Sequence, residues 1–195
     1  MKIPCLLLLS CFLFFSCSPK EEEDRIPGHH LEDFQACMGD PDDSFDNIRD
    51  LSLGYSLSFP EYWEHETRSD TLAESITAHR YITDTTDYSI IDSHIMNVTY
   101  FLEKSGEMEK FVNGFSTAST NMGLEVLNRG KGTAFGKECQ WLVMEDKREK
   151  YSNKMFLLFF SSPDKEHVIL YEYSAYAGED WYENLCDMLR FKQDV

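Results

Sequence analysis

Polar and apolar positions along this chain change their period several times, and each change predicts an element. Leu51, Leu53, Tyr55, Leu57 and Phe59 alternate with small or polar residues up to Pro60, so 51–59 reads as a half-buried strand stopped by proline. Trp63 follows in or near a turn. Residues 76–82 and 94–103 read as further strands; the stretch from Ile95 to Leu102 is β-branched and aromatic, which suits a pleated surface. Then Met108, Phe111, Val112, Phe115, Ala118 and Met122 recur at three and four, with Glu107, Glu109 and Lys110 turned away. That spacing predicts an amphipathic helix, ended by Gly123, on one face of the sheet. Four more strands are expected at 124–128, 139–145, 155–160 and 168–176. The runs Gly130-Lys131-Gly132, Gly136-Lys137, Glu145 to Lys150 and Ser161 to Asp164 supply the turns of an antiparallel meander. Phe156 to Phe160 is apolar throughout, so that strand is expected to be central and covered on both faces. Beyond Gly178, Trp181, Leu185, Met188 and Leu189 sit at helical spacing and predict a second helix closing the other side. Trp63, Phe115 and Phe159 are expected in one core.

The first fifty residues read differently. In 29–50, Leu31, Phe34, Cys37 and Met38 fit a short helical stripe broken at Gly39 to Asp43, and this part reads as an extension ahead of an α+β domain at 51–195. Residues 18–28 are charged, end in Pro27-Gly28 and have no apolar period, as a tether would. Before them, Lys2 precedes an apolar run from Leu6 to Phe15, too short to span a bilayer and long enough for the core of a signal peptide.

The junction Phe15-Ser16-Cys17, followed at once by Ser18 to Asp24, resembles the lipobox of bacterial lipoproteins. The resemblance implies that 1–16 is removed as a lipoprotein signal peptide and that 17–28 becomes a lipidated cysteine and acidic tether. Cys17 would then carry several acyl chains, each methylene holding by about 0.8 kcal/mol. Leu8-Leu9-Ser10-Cys11 is a second match, but cleavage there leaves Phe12 to Phe15 on the mature protein; an ordinary secretory signal is the third reading. The acidic run after Cys17 is similar to a surface-export tag of some didermic bacteria and also fits a solvated spacer. The expected location is the cell envelope, lipid-anchored in the outer membrane and exposed at its surface.

The length is that of one domain. A formal charge of −17, one unit more negative once Lys2 leaves with the signal, excludes nucleic acid as a partner and holds the domain off anionic head groups. Beyond Cys5, Cys11 and Cys17, the cysteines Cys37, Cys139 and Cys186 permit at most one bridge, and their pairing stays open.

Candidate chemistry is sparse. The chain has no Gly-x-Ser-x-Gly, His-Glu-x-x-His, phosphate loop or Cys-x-x-Cys, and no cofactor is expected. Asp40, Asp42, Asp43 and Asp46 crowd oxygen ligands of a kind suited to calcium, without the glycine and terminal glutamate of an EF-hand, so an exposed acidic turn is the competing reading. His29-His30 with Glu32 and Asp33 has ligand types at an awkward spacing. Asp92-Ser93-His94 has the residue types of a hydrolytic triad, but sequence neighbours lack its geometry, and a turn before a strand is expected. Tyr171, Tyr173 and Tyr176 with Trp181 either line a ligand cleft or pack beneath the last helix. Asp70-Thr71-Leu72 and Asp84-Thr85-Thr86 are similar to bacterial O-glycosylation acceptors.

The element order, with the opening Tyr55-Ser56-Leu57-Ser58-Phe59-Pro60 and then Trp63, resembles the PsbP, Mog1 and DcrB-like superfamily over roughly residues 50–192. The resemblance implies an antiparallel sheet sandwiched by helices in α/β/α order, and a domain that binds a protein partner without catalysis. An envelope hydrolase with a site in the tyrosine-lined region is the alternative.

Overall fold

The period changes reappear as elements in the computed structural model, which describes residues 27–38, 46–51, 54–83, 85–86, 90–147, 152–191 and 193. In chain order these are α1 (Leu31–Gln35), β1 (Asp46–Asp50), β2 (Ser56–Pro60), β3 (Glu64–Ser69), β4 (Ala73–Thr83), β5 (Ile90–Phe101), α2 (Met108–Asn121), β6 (Leu124–Ala134), β7 (Lys137–Asp146), β8 (Asn153–Ser161), β9 (Val168–Tyr176) and α3 (Trp181–Leu189). The fold is α+β. Seven strands form an antiparallel sheet in the order β3-β4-β5-β9-β8-β7-β6, and β1 pairs with β2 separately. None of the helices among the described residues is long and apolar enough to cross a membrane.

Strand parity sorts the apolar side chains into two clusters. Trp141, Val143, Phe156, Leu158, Phe160, Tyr171 and Tyr173 point to one face, called here the first. Leu142, Met144, Leu157, Phe159, Val168 and Leu170 point to the second. On the first face the cluster is completed by Leu31 and Phe34 of α1, Leu57 and Phe59 of β2, and Trp181, Leu185, Met188 and Leu189 of α3. Phe34 stacks on Phe156 with ring centroids 4.0 Å apart. Gly132 on β6 permits this seat for α1, since a Cβ there would overlap Leu31 Cδ2.

A disulfide between Cys37 and Cys186 fastens the α1 segment to α3, across 149 residues of chain. Closing so long a loop in the unfolded chain is worth roughly 5 kcal/mol in the chain-entropy account. Beside it the Tyr182 hydroxyl donates to the Asp33 carbonyl at 2.8 Å. The Gln193 side chain works in a similar way on β2: it accepts from the Ser58 N–H at 3.0 Å and donates to the Ser58 carbonyl at 3.2 Å. On the second face, Val112 of α2 meets the sheet, Phe115 packs edge-on against Phe159 at 5.2 Å, and Gly123, at φ +96°, ends the helix. Lys131 and Arg129 of β6 hold α2 through Glu109 at 2.7 Å and Asn113 at 3.0 Å.

Several expectations are corrected. The opening strand is β2 alone, and all five of its residues are buried, Ser56 and Ser58 included, because β1, the sheet and Gln193 surround it. β3 was not expected: its Glu-His-Glu-Thr-Arg-Ser is exposed throughout and so has no apolar alternation to read. The segment read as an extension supplies core residues, Leu31 and Phe34 at 3 % and 0 % exposure. β8 is interior, yet the middle strand is β9. Trp63 belongs to the first-face core and Phe115 and Phe159 to the second, so the three do not share one core.

Because Phe159 is fully buried against Phe111 and Phe115, Phe159→Ala should cost about 3 to 5 kcal/mol in chemical denaturation. A loss under about 1 kcal/mol, the scale of ordinary surface changes, would contradict the packing of α2 on this strand.

Candidate functional site

Seven strands about 4.8 Å apart span nearly 30 Å, whereas one helix is about 10 Å wide. α2, the helix that the described residues place on the second face, therefore covers only part of it. α2 makes most of its contacts with β6 and β7, and reaches β8 through Phe115 and the end of β5 through Phe111. The sequence follows this division: second-face positions on β7 and β8 are Leu142, Met144, Leu157 and Phe159, while those on β4, β5 and β9 include Ser75, Thr77, His79, Asn97, Thr99, Glu172 and Ser174.

Register brings the polar residues together. Thr77 pairs with Asn97, and Asn97 with Glu172, in one row across three strands. The Thr77 hydroxyl donates to Asn97 Oδ1 at 3.0 Å, and Asn97 Nδ2 donates to Thr99 Oγ1 at 2.9 Å. Glu172 is half-buried on the middle strand, bonded to the Asn97 side chain. Burial pushes its carboxyl above the usual range, and the Asn97 bond only partly opposes this. Among the described residues no cation accompanies it. At the strand end Phe101 meets Phe111 of α2 at 5.0 Å, both rings half-buried. Towards the sheet edge, β3 presents Glu64, Glu66 and Arg68 on this same face; Arg68 is held by Glu66 at 2.8 Å and His79 lies 3.4 Å from Glu64. The result is an acidic, hydrogen-bonding floor with an aromatic border.

The residues singled out from sequence lie elsewhere. Cys17, Asp40, Asp42, Asp43 and Asp84 are outside the described residues, and of Asp46 only the backbone, in β1, is described. Tyr171 and Tyr173 are fully buried on the first face, where the Tyr171 hydroxyl donates to the Ser56 carbonyl at 3.0 Å, so they are core and line no cleft. Trp181 is buried under Lys154, whose ammonium lies 4.0 Å above its ring, and Tyr176 is half-buried at the strand end. His29 packs near Trp181, whereas His30 Nδ1 lies 3.2 Å from Asn128, so the two rings do not converge. Asp92, Ser93 and His94 are strand residues, not a turn: β5 starts at Ile90, and Ser93 faces away from its neighbours to donate to Asn153 at 3.2 Å. Cys139 is the free thiol among the described residues, and burial pushes it up to about 11, which keeps it protonated. Thr71 is exposed in the β3–β4 turn, where Asp70 accepts from the backbone of Leu72 and Ala73.

Two other places have site-like features. A cleft of about 520 Å³ lies between the start of α2 and the ends of β6 and β7, lined by Met108, Lys131, Thr133, Glu138, Gln140 and Ser161. Its cation, Lys131, is already engaged by Glu109. Asp164, Glu166 and His167 gather in the β8–β9 turn, but Lys104 binds Glu166 at 2.5 Å, and Asp164 caps the turn through Ser162 and the Glu166 N–H. The row through Glu172 escaped sequence reading because its members are 77, 97 and 172; the one available signal was a glutamate amid the apolar run of β9.

No family model and no curated protein matches this chain. Among solved structures, that of a protein of unknown function from Pseudomonas aeruginosa is similar over 70 % of this chain and 87 % of its own, at 10 % identity and a TM-score of 0.37, a level that carries no argument.

The raised carboxyl makes stability depend on pH in a defined direction. Between the ordinary value of 4.5 and the raised one, the folded chain binds more protons than the unfolded chain, so stability falls as pH rises through that window. Glu172→Gln removes the loss. Its thermal midpoint should exceed that of the wild type at pH 7.5, and the difference should shrink towards pH 4. A difference that does not change with pH would contradict the buried placement of this carboxyl.

Proposed function

We propose that this chain is a cell-envelope lipoprotein whose α+β domain is a binding or assembly module for a protein partner, held in the outer membrane by acyl chains on Cys17 and displayed at the surface by its tether. The domain is of the α/β/α type of the PsbP, Mog1 and DcrB-like superfamily. The observation that carries the reading is the polar floor of the second face across β4, β5 and β9, beyond the strands that α2 mainly contacts. A sheet face of hydrogen-bonding residues with an aromatic border offers a partner directional contacts and apolar area together, as recognition surfaces do. The Cys37–Cys186 disulfide supports export, since such bonds persist in oxidising compartments. It also fixes the α1 segment to the domain, so that a pull on the tether is borne by a covalent link.

Two variants test the two halves. Cys17→Ser should leave an unprocessed precursor that takes up no labelled fatty acid, and normal labelling would overturn the anchor. Asn97→Arg, on this floor, should abolish recovery of the partner from detergent-solubilised envelopes, while Glu183→Arg on the exposed side of α3 should not. Equal recovery with both variants would remove this face from the reading.

A further inference from the structure

We propose that the partner presents a basic segment and that Glu172 is the counter-ion for one of its lysine or arginine side chains, seated on the floor formed by β4, β5 and β9. The inference rests on the binding-module reading and names the chemistry of the partner. Glu172 is half-buried and bonded to Asn97, and no cation of the described chain balances it. A carboxylate so placed has lost part of its hydration without gaining a counter-charge, which costs the fold free energy. A cation brought by a second molecule restores the missing interaction, and it does so away from β6 and β7, the strands with which α2 makes most of its contacts.

The surroundings favour the same occupant. Across β3, β4, β5 and β9 this face carries Glu64, Glu66 and Glu172 against Arg68 and His79, and Arg68 is engaged by Glu66; Arg129 and Lys131 lie on β6 and are engaged by α2. The whole chain carries −17, so long-range steering also brings in positive charge. Phe101 and Phe111 at the border suit the aliphatic stem of a lysine or arginine, whose charged head then reaches the carboxylate. The same charge opposes a second copy of this chain, an anionic lipid surface or a nucleic acid in this place. Glu172 is not within reach of two further metal-ligand side chains among the described residues, which turns the choice from a metal ion to an organic cation.

The test titrates the full chain with an N-acetylated, C-amidated tetra-lysine peptide, with tetra-serine and tetra-glutamate peptides of the same form as controls. Tetra-lysine should bind, and Glu172→Gln should weaken it about fivefold or more, the scale expected when a partly buried charge pair is broken. Glu183→Gln removes the same charge from the exposed side of α3 and should change the affinity less than about twofold, as screened surface charges do. Since Glu172→Gln keeps the size and hydrogen bonding of the side chain, its circular dichroism should match the wild type. Equal weakening by the two variants would show a diffuse field alone and overturn the proposal, as would binding of tetra-serine as tight as that of tetra-lysine. Absence of tetra-lysine binding also overturns it; a partner still captured from envelopes and lost with Asn97→Arg would then leave the binding module standing with another partner chemistry.

Discussion

Met155 to Phe160 are buried without a break, so β8 must be covered on both faces at once, and most of the structure follows from that demand. Phe156, Leu158 and Phe160 take Phe34, β2 and α3; Leu157 and Phe159 take α2. The disulfide and the Gln193 clasp secure the first of these covers, and the Lys131 and Arg129 contacts secure the second. β9 shares the constraint from Val168 to Tyr171 and again from Tyr173 to Ala175; between them the half-buried Glu172 opens the polar row that Asn97 and Thr77 continue across β5 and β4. The candidate site is thus the remainder left when one helix covers a seven-stranded sheet.

Elements with an apolar period were legible in the sequence, and elements held by other means were not. α2, α3 and the meander announced themselves because each buries a stripe or an alternate face. β3 did not, since an exposed edge strand needs charges to discourage further pairing and therefore looks like a loop. β6 continues to Ala134 because Gly130 and Gly132, which read as turn residues, make room for Trp141 and Leu31. The place of α1 in the core depended on Cys37 pairing with Cys186, and the spacing of three cysteines does not specify a pair.

The site was the least legible part, for a topological reason. Motif reading finds residues that are close in sequence, and it selected Asp92-Ser93-His94 and the tyrosines of β9. In a strand, neighbours in sequence point to opposite faces, so the first group is split and Tyr171 and Tyr173 turn into the core. The row that does converge joins β4, β5 and β9 across the chain, and only strand order and register assemble it.

The central claim is that the floor around Asn97 is open to a partner. Cysteine accessibility measures it directly: in the full chain with Cys17 retained and Cys139 buried, Thr77→Cys on the second face is compared with Val98→Cys on the first, each challenged with a maleimide under native conditions. The account predicts that the thiol at 77 reacts readily while the one at 98 reacts only after unfolding. Protection of both thiols alike would show that another part of the chain covers this face and would contradict the account.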